Sequence, residues 1–442
     1  MVYIKKIKGN NLHLIREIQI KDLFGHYNYS LKIPSIERNA LSTVGILYGD
    51  NGSGKTTILK LLFHLLSPNI DRGHRSKISN IPFSKISVLF SDKVIITAGR
   101  RGNMLTGSFT VELKKPNQSP LKAKFEATGG RGIKRYTKEG IDLYNEIEKL
   151  GLSIFFLTDL RTLESNEFEQ VPEEPEFIEK WDREMKKRYR FDVNDRRDST
   201  LNQSLEQTTT LIHRSLIEAS SRGDVEAQSI YANIVENIDN LTFRPAIDTF
   251  TPINKLKKEL KELEKRSTVF TELGLTSKIN IRSFYKGLNK TTKKSLPFVE
   301  RVVRSFIDGQ LARLNALEKL KVMLVRFLSQ INSFFVDKKI KIKISEGISI
   351  ISDYGENLKT EMLSSGEKQL LLLLLNILIA GETASLFIID EPEISLNVKW
   401  QRKLIDALVD ITQGSQCQFL FATHSIEFLT KHRNQVIKLE NI

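Results

Sequence analysis

Gly49-Asp50-Asn51-Gly52-Ser53-Gly54-Lys55-Thr56 comes after an apolar run at 44–48 and opens onto Ile58-Leu59-Lys60-Leu61-Leu62-Phe63. This reads as strand, glycine-rich loop, helix, and each residue of the G-x-x-x-x-G-K-T spacing has a physical task. Gly49, Gly52 and Gly54 let consecutive backbone N–H groups, with those of Asn51 and Ser53, curl around a phosphate without side chains in the way. The following helix points its positive dipole end at the same anion. Lys55 can reach β- and γ-phosphates, the Thr56 hydroxyl can ligate Mg²⁺, and Thr57 closes the motif. An ordinary glycine turn would look the same, so the assignment depends on the segments downstream.

At 442 residues the chain can bury a large core in two or three domains. A formal net charge of +14 favours an anionic partner, nucleic acid before membrane surface, with a solvated basic surface as the alternative. Cys417 is the single cysteine, so neither a disulfide framework nor a cysteine-based zinc site can form within one chain. This fits a reducing cytoplasm. The N-terminus, Met1-Val2-Tyr3-Ile4-Lys5-Lys6, alternates like a strand and lacks the apolar core of a signal peptide. The apolar run at 370–380 carries Asn376 and falls short of the roughly 20 residues that span a bilayer. It reads as a helix buried in protein, and no membrane association is expected.

Period-two patterning runs through the first third of the chain. Tyr3, Ile4 and Ile7, then Leu14, Ile15, Ile18 and Ile20, then Tyr29, Leu31 and Ile33 predict an antiparallel sheet leading into the phosphate loop. Further strands are expected at 86–90, 94–97, 108–113 and 121–125, with turns at Asn117, Pro120 and Gly129-Gly130. A short helix comes next at 140–150, then a buried strand, Ile154-Phe155-Phe156-Leu157. From Glu164 to Glu176 an acidic, proline-bearing stretch reads as a solvated linker. The pattern at 180–335 is helical. Leu256, Leu260 and Leu263 share one face, and 298–335 is one long amphipathic helix, or two broken near Gly309, whose apolar positions include Val302, Phe306, Leu314, Leu317, Leu324, Phe327 and Ile331. Near 338 the period returns to two, as Ile340, Ile342, Ile344, Ile348 and Ile350 predict a hairpin. A helical insert thus interrupts one sheet-based domain.

Three later segments complete the constellation. Leu386-Phe387-Ile388-Ile389 is a buried strand ending at Asp390-Glu391, and an acidic pair at the end of a parallel strand belongs beside the phosphate loop of an open α/β sheet. Asp390 would hold Mg²⁺ with Thr56, and Glu391 would orient and deprotonate the attacking water. Leu363-Ser364-Ser365-Gly366-Glu367 precedes the leucine-rich helix and makes a second anion site from Ser365, the Gly366 amide and a helix start, though a plain N-cap would also suffice. One γ-phosphate needs only one loop, so the second site is best explained by a nucleotide held on another subunit. Thr423-His424-Ser425 comes after the strand Phe419-Leu420-Phe421-Ala422, which places His424 to contact the γ-phosphate and report its presence.

With GDNGSGKTT at 49–57, LSSGEKQ at 363–369, IIDEPEISLN at 388–397 and ATHS at 422–425, the sequence resembles the ATP-binding-cassette ATPases of the branch that includes SMC, Rad50, RecF and OLD proteins. The resemblance implies an α/β P-loop NTPase head, a mixed sheet with an antiparallel subdomain, made of 1–160 and 336–442 and interrupted by a helical insertion at 161–335. It implies Mg²⁺-dependent ATP hydrolysis by a homodimer that sandwiches two ATP molecules, each between one subunit's Lys55 loop and the other's Ser365-Gly366. Residues 393–396 match the family's D-loop, which communicates across that interface. Thr158-Asp159-Leu160-Arg161 stands where the family's lid glutamine is expected. The insert is too short for a long SMC arm and has no CxxC hook, and the short tail after His424 leads us to expect no C-terminal nuclease. A stand-alone head of this kind resembles the ATPase subunits of bacterial antiphage systems such as PARIS (AriA) and Septu (PtuA), as does Asp22-Leu23-Phe24-Gly25-His26-Tyr27. That implies assembly beyond a dimer and control of a separate effector, a nuclease in particular.

The insert offers a partner surface. Lys278, Arg282, Lys286, Lys290, Lys293, Lys294, Arg301 and Arg304 crowd one region with Phe284, Tyr285 and Phe298. Basic residues with interleaved aromatics suit nucleic acid. A solvated helix face over core aromatics, or a dock for an acidic protein, fits the same composition.

Overall fold

A computed structural model describes residues 13–34, 42–69, 73–127, 137–158, 163–165, 196–236, 252–292, 295–381, 383–415 and 417–442. The strand expected around Tyr3 to Ile7, the Gly129-Gly130 turn, Asp159 to Arg161, nearly all of the acidic stretch, and Lys293 and Lys294 lie outside them. The chain divides into two compact units, one of Met1–Asn194 with Ala380–Ile442, the other Asp195–Ile379.

The first unit holds two six-stranded sheets. The antiparallel one has the order β2-β1-β4-β5-β6-β7, formed by β1 (Ile15–Leu23), β2 (Tyr27–Lys32), β4 (Lys85–Phe90), β5 (Ile95–Gly99), β6 (Phe109–Lys114) and β7 (Leu121–Phe125). Its strands alternate buried and solvent-facing residues, as in β4, where Ile86, Val88 and Phe90 point inward. The other sheet has the order β15-β3-β14-β13-β8-β9, from β3 (Ser42–Tyr48), β8 (Ile154–Leu157), β9 (Leu163–Ser165), β13 (Leu386–Asp390), β14 (Cys417–Thr423) and β15 (Val436–Lys438). Its pairs are parallel except β8–β9. The strands β8, β13 and β14 are buried along their whole length, which is why they read as continuous apolar runs.

Helix α1 (Lys55–Leu66) runs from the end of β3. It begins where Gly54 adopts a left-handed conformation, and Ile58, Leu59, Leu61, Leu62, Leu65 and Leu66 are fully buried. Helix α2 (His74–Asn80) packs against α1, and α3 (Lys138–Glu148) packs against β7. One apolar core joins β1, β4–β6, α1 and α3 to Ile154, Phe156, Ile388 and Leu420 of the parallel sheet. The amide side chain of buried Gln418 stitches the two sheets, accepting from the Ile15 N–H at 2.8 Å and donating to the Ile15 carbonyl at 2.9 Å.

In the same core His64 and His74 meet Nδ1 to Nδ1 at 3.0 Å, beside a fully buried Arg75. Burial, then the neighbouring His74, Lys77, Arg75 and Lys60 charges, pull His64 from its ordinary 6.5 down to about 3. The unfolded chain therefore binds a proton that the folded chain refuses between those values. The share of stability that His64 contributes is full above about pH 6.5 and falls by about 1.4 kcal/mol per pH unit as the pH drops toward 3. Thermal melts from pH 7 to pH 4 should lose stability less steeply in His64→Leu than in the unaltered chain.

The second unit is built on two long helices, α4 (Arg196–Glu236) and α7 (Leu296–Phe334). They approach closely at Gly223, where a Cβ would stand 2.9 Å from the Arg313 Cα. The segment expected as one helix or two is a single helix through Gly309, which is buried. Of its apolar residues, Val302 is 46% exposed and Phe298 64%. The helices α5 (Ile253–Glu272) and α6 (Arg282–Asn289) precede it, and Leu256, Leu260 and Leu263 of α5 are buried as their shared face required.

The expected hairpin is β10 (Lys338–Lys343) with β11 (Gly347–Ser352), extended by β12 (Asn357–Leu358). Asn332 of α7 holds β10 through both the Ile340 N–H and carbonyl. Helix α8 (Ser365–Ala380) carries the leucine run, with Leu370 to Leu375 all buried. The compact units divide at 194/195 and 379/380. Residues 336–379 cluster with the helices because Asn332 grips β10, Lys338 pairs with Glu367 at 2.9 Å and the Thr360 hydroxyl donates to Asn202 at 3.0 Å. Taken together this is the mixed α/β class anticipated, a P-loop sheet with an antiparallel partner and a large helical insertion.

Candidate nucleotide site

Register decides what meets at the C-terminal edge of the parallel sheet. The strand β14 lies between β3 and β13, with Thr423 opposite Tyr48 and Ala422 opposite Asp390. The loop after β3, the acids after β13 and the histidine after β14 are therefore delivered to one edge, where open α/β sheets bind ligands.

The loop is bent by Gly52 at φ 81° and Gly54 at φ 88°. A side chain at Gly54 would also collide with Leu23 Cδ2 at 2.8 Å, so this glycine is required on two counts. Between them the Ser53 carbonyl accepts the Tyr29 hydroxyl at 2.8 Å. Tyr29 is buried, and burial, aided by Tyr27, pushes it up to about 12, so it remains a donor. The Ser53 hydroxyl is buried and bonds no described residue, an unspent donor inside the glycine loop. Gly49 is half-buried, Asn51 and Gly52 are exposed, and Thr56 and Thr57 are half-buried in the first turn of α1.

Lys55 is 5% exposed, and its ammonium donates to the Gly49 carbonyl at 2.8 Å and the Asp50 carbonyl at 2.9 Å. Burial lowers it from the ordinary lysine value, opposed by Glu391, Asp390, Asp50 and Glu393. The same ammonium lies 3.3 Å from His424 Nδ1, and His424 Nε2 lies 3.6 Å from Glu391 Oε1. A charged lysine can only donate, so Nδ1 accepts and Nε2 carries its hydrogen toward Glu391.

Asp390 is 1% exposed at the end of β13. Glu391 adopts φ 44°, uncommon for a residue with a side chain, and its N–H bonds the Ala422 carbonyl at 2.8 Å. That twist leaves its carboxylate one-third exposed beside His424.

Ser365 and Gly366 belong to the second unit, at the start of α8. The helix is capped by the preceding serine. The Ser364 N–H donates to Glu367 Oε2 at 2.7 Å while the Glu367 N–H donates to Ser364 Oγ at 3.3 Å, a reciprocal capping box. Burial raises the Glu367 carboxyl, but the Ser364 amide and Lys338 hold it below its ordinary value overall. Ser365 itself is exposed, so its hydroxyl is not consumed by the cap.

The parallel sheet thus brings together Lys55, Asp390, Glu391 and His424, all named from sequence. Two contributors escaped it. Tyr29 reads only as an inward strand residue, and nothing local in 393–396 says that Glu393 reaches His424.

A family model described as "AAA domain, putative AbiEii toxin, Type IV TA system" matches residues 152–430. The chain belongs to that family. The match spans the acid pair, the Ser365 segment and His424 of this AAA domain protein, and begins after the glycine loop. Among solved structures it is similar to the Smc head domain with an extended coiled coil bound to the C-terminal domain of ScpA, from Pyrococcus furiosus, at TM-score 0.40 and 13% identity over 96% of this chain and 95% of that one. The SmcHead bound to the C-winged helix domain of ScpA gives TM-score 0.38 and 11% identity over 96% of each chain. The Smc head domain with a coiled coil and joint from Pyrococcus yayanosii gives 0.39 and 14% over 97% of each. No curated protein matches the chain. No described helix of the AAA domain protein is long and apolar enough to cross a membrane.

Proposed function

We propose that the chain binds and hydrolyses ATP with Mg²⁺, and that it serves as an ATP-dependent sensor and scaffold of a bacterial antiphage system, assembling beyond a dimer to control a separate effector, a nuclease in particular. The catalytic head would comprise 1–160 and 336–442. The observation that carries the reading is the chain Lys55–His424–Glu391, with contacts of 3.3 and 3.6 Å between three segments far apart in sequence. The residues fit the ligand: the glycine-loop amides of 49–54, Ser53, Lys55 and Thr57 suit phosphates, and the oxygens of Thr56 and Asp390 suit Mg²⁺. When bound, the metal neutralises charge developing on the phosphates. Glu391 would orient and deprotonate water, Lys55 would bind the phosphates, and His424 would contact the γ-phosphate. Ser365 and Gly366 of a second copy complete each site. For the defence role, the support is the resemblance of a stand-alone head with a helical insert, and of Asp22-Leu23-Phe24-Gly25-His26-Tyr27, to antiphage ATPase subunits, together with a family description that names a toxin of a paired system.

A second reading, ATP-gated DNA binding, draws on the helical unit. Between Glu272 and Glu300 there is no acidic residue, and Lys278, Arg282, Lys286 and Lys290 are exposed. Phosphate release by the purified chain with Mg²⁺-ATP tests the first reading, and no binding and no release would end it. In the same preparation, salt-sensitive duplex DNA binding lost on reversing Arg282, Lys286 and Lys290 to Glu would favour the second.

A further inference from the structure

One carboxylate ties the loop after β13 to the end of β14. Glu393 Oε1 accepts three hydrogen bonds, from the Thr423 hydroxyl at 2.6 Å, the His424 N–H at 2.8 Å and the Ser425 N–H at 3.2 Å. Thr423 is fully buried, and its hydroxyl also accepts from the Ser425 N–H at 2.9 Å. The far side of the turn is anchored as well. The Ser425 hydroxyl donates to Gln401 Oε1 at 2.6 Å, and the Gln401 amide donates to the Leu396 carbonyl at 2.8 Å, at the start of α9 (Val398–Ile411). Glu393 Oε2 is buried and bonds no described residue. The hydrogen bonding of this group is thus directed wholly at the histidine turn. Bonds to a charged acceptor are the stronger kind, and three converging on one oxygen fix the backbone that carries His424.

We propose that Glu393 is a positioning residue for His424. It holds the 423–425 turn so that the imidazole stands between Lys55 and Glu391, and it makes any displacement of 393–396 a displacement of the histidine. The catalytic consequence rests on the ATPase reading above; the positional one does not.

The test compares Glu393→Gln, which keeps an acceptor oxygen at the same reach, with Glu393→Ala. Expected for Ala is a kcat loss of about thirtyfold with KM within about threefold, and for Gln a loss within about fivefold. On a His424→Ala background Glu393→Ala should add less than about threefold, because the two act as one unit. Without nucleotide, the His424 ring proton resonance should shift in Ala and hold in Gln. Equal losses in Gln and Ala, full additivity with His424→Ala, or an unmoved resonance in Ala would overturn the proposal. If the unaltered chain turns over no ATP, the ATPase reading fails while the resonance still decides the positioning. Should Glu393→Ala not fold, Thr423→Val removes one donor at constant shape: a shifted resonance then supports the assignment and an unmoved one refutes it.

Discussion

Glu391→Gln is expected to lower ATP turnover by about 10²–10⁴-fold while leaving ATP bound, the scale of a missing general base. The substitution preserves size, and the Glu391 N–H keeps its bond to the Ala422 carbonyl, so the unusual φ of 44° is still supported. What disappears is the basic oxygen that faces His424 Nε2 at 3.6 Å. Binding should be spared because the groups proposed to hold the phosphates, Lys55 and the loop amides, lie on a different segment. Steady-state phosphate release and calorimetric titration with Mg²⁺-ATP separate the two effects. Normal turnover in the variant would remove the role assigned to Glu391.

Lys55→Ala is expected to weaken ATP binding by at least about a hundredfold, equivalent to roughly 2.7 kcal/mol, the scale of deleting a charge-assisted hydrogen bond from a shielded site. Lys55 supplies the buried cation among Asp390, Glu391, Asp50 and Glu393, and its ammonium also satisfies the Gly49 and Asp50 carbonyls. Removing it withdraws the phosphate partner and leaves like charges facing one another. Calorimetry should record no binding heat at concentrations that saturate the unaltered chain, with a melting curve confirming a folded protein. Affinity within threefold of the original would contradict the assignment.

These expectations rest on features legible in the sequence for local reasons. Val44 to Tyr48 and Leu386 to Ile389 could be placed because strands buried on both faces must be continuously apolar. The β4 to β7 strands could be placed because one covered face enforces alternation. The glycine loop, Asp390-Glu391 and Thr423-His424-Ser425 were legible because each follows such a strand directly.

What escaped the sequence depends on contacts between distant residues. The three-residue β15 gains its pairing from β3, almost 400 residues earlier. Glu393 finds its donors 30 to 32 residues away. The His64–His74 pair, with Arg75 beside it, lies in a core whose depth no local pattern reports. The hairpin and α8 join the helical unit through single side chains such as Asn332 and Lys338, which carry no periodic signal.

The central claim is that two copies close over shared ATP, each offering its exposed Ser365 to the other's Lys55 loop. Mass measurement of Glu391→Gln in solution tests it most directly, with and without Mg²⁺-ATP. The account predicts that ATP shifts the 50.6 kDa chain to twice that mass or a higher multiple. ATP bound at full occupancy to a species that stays at 50.6 kDa would contradict it.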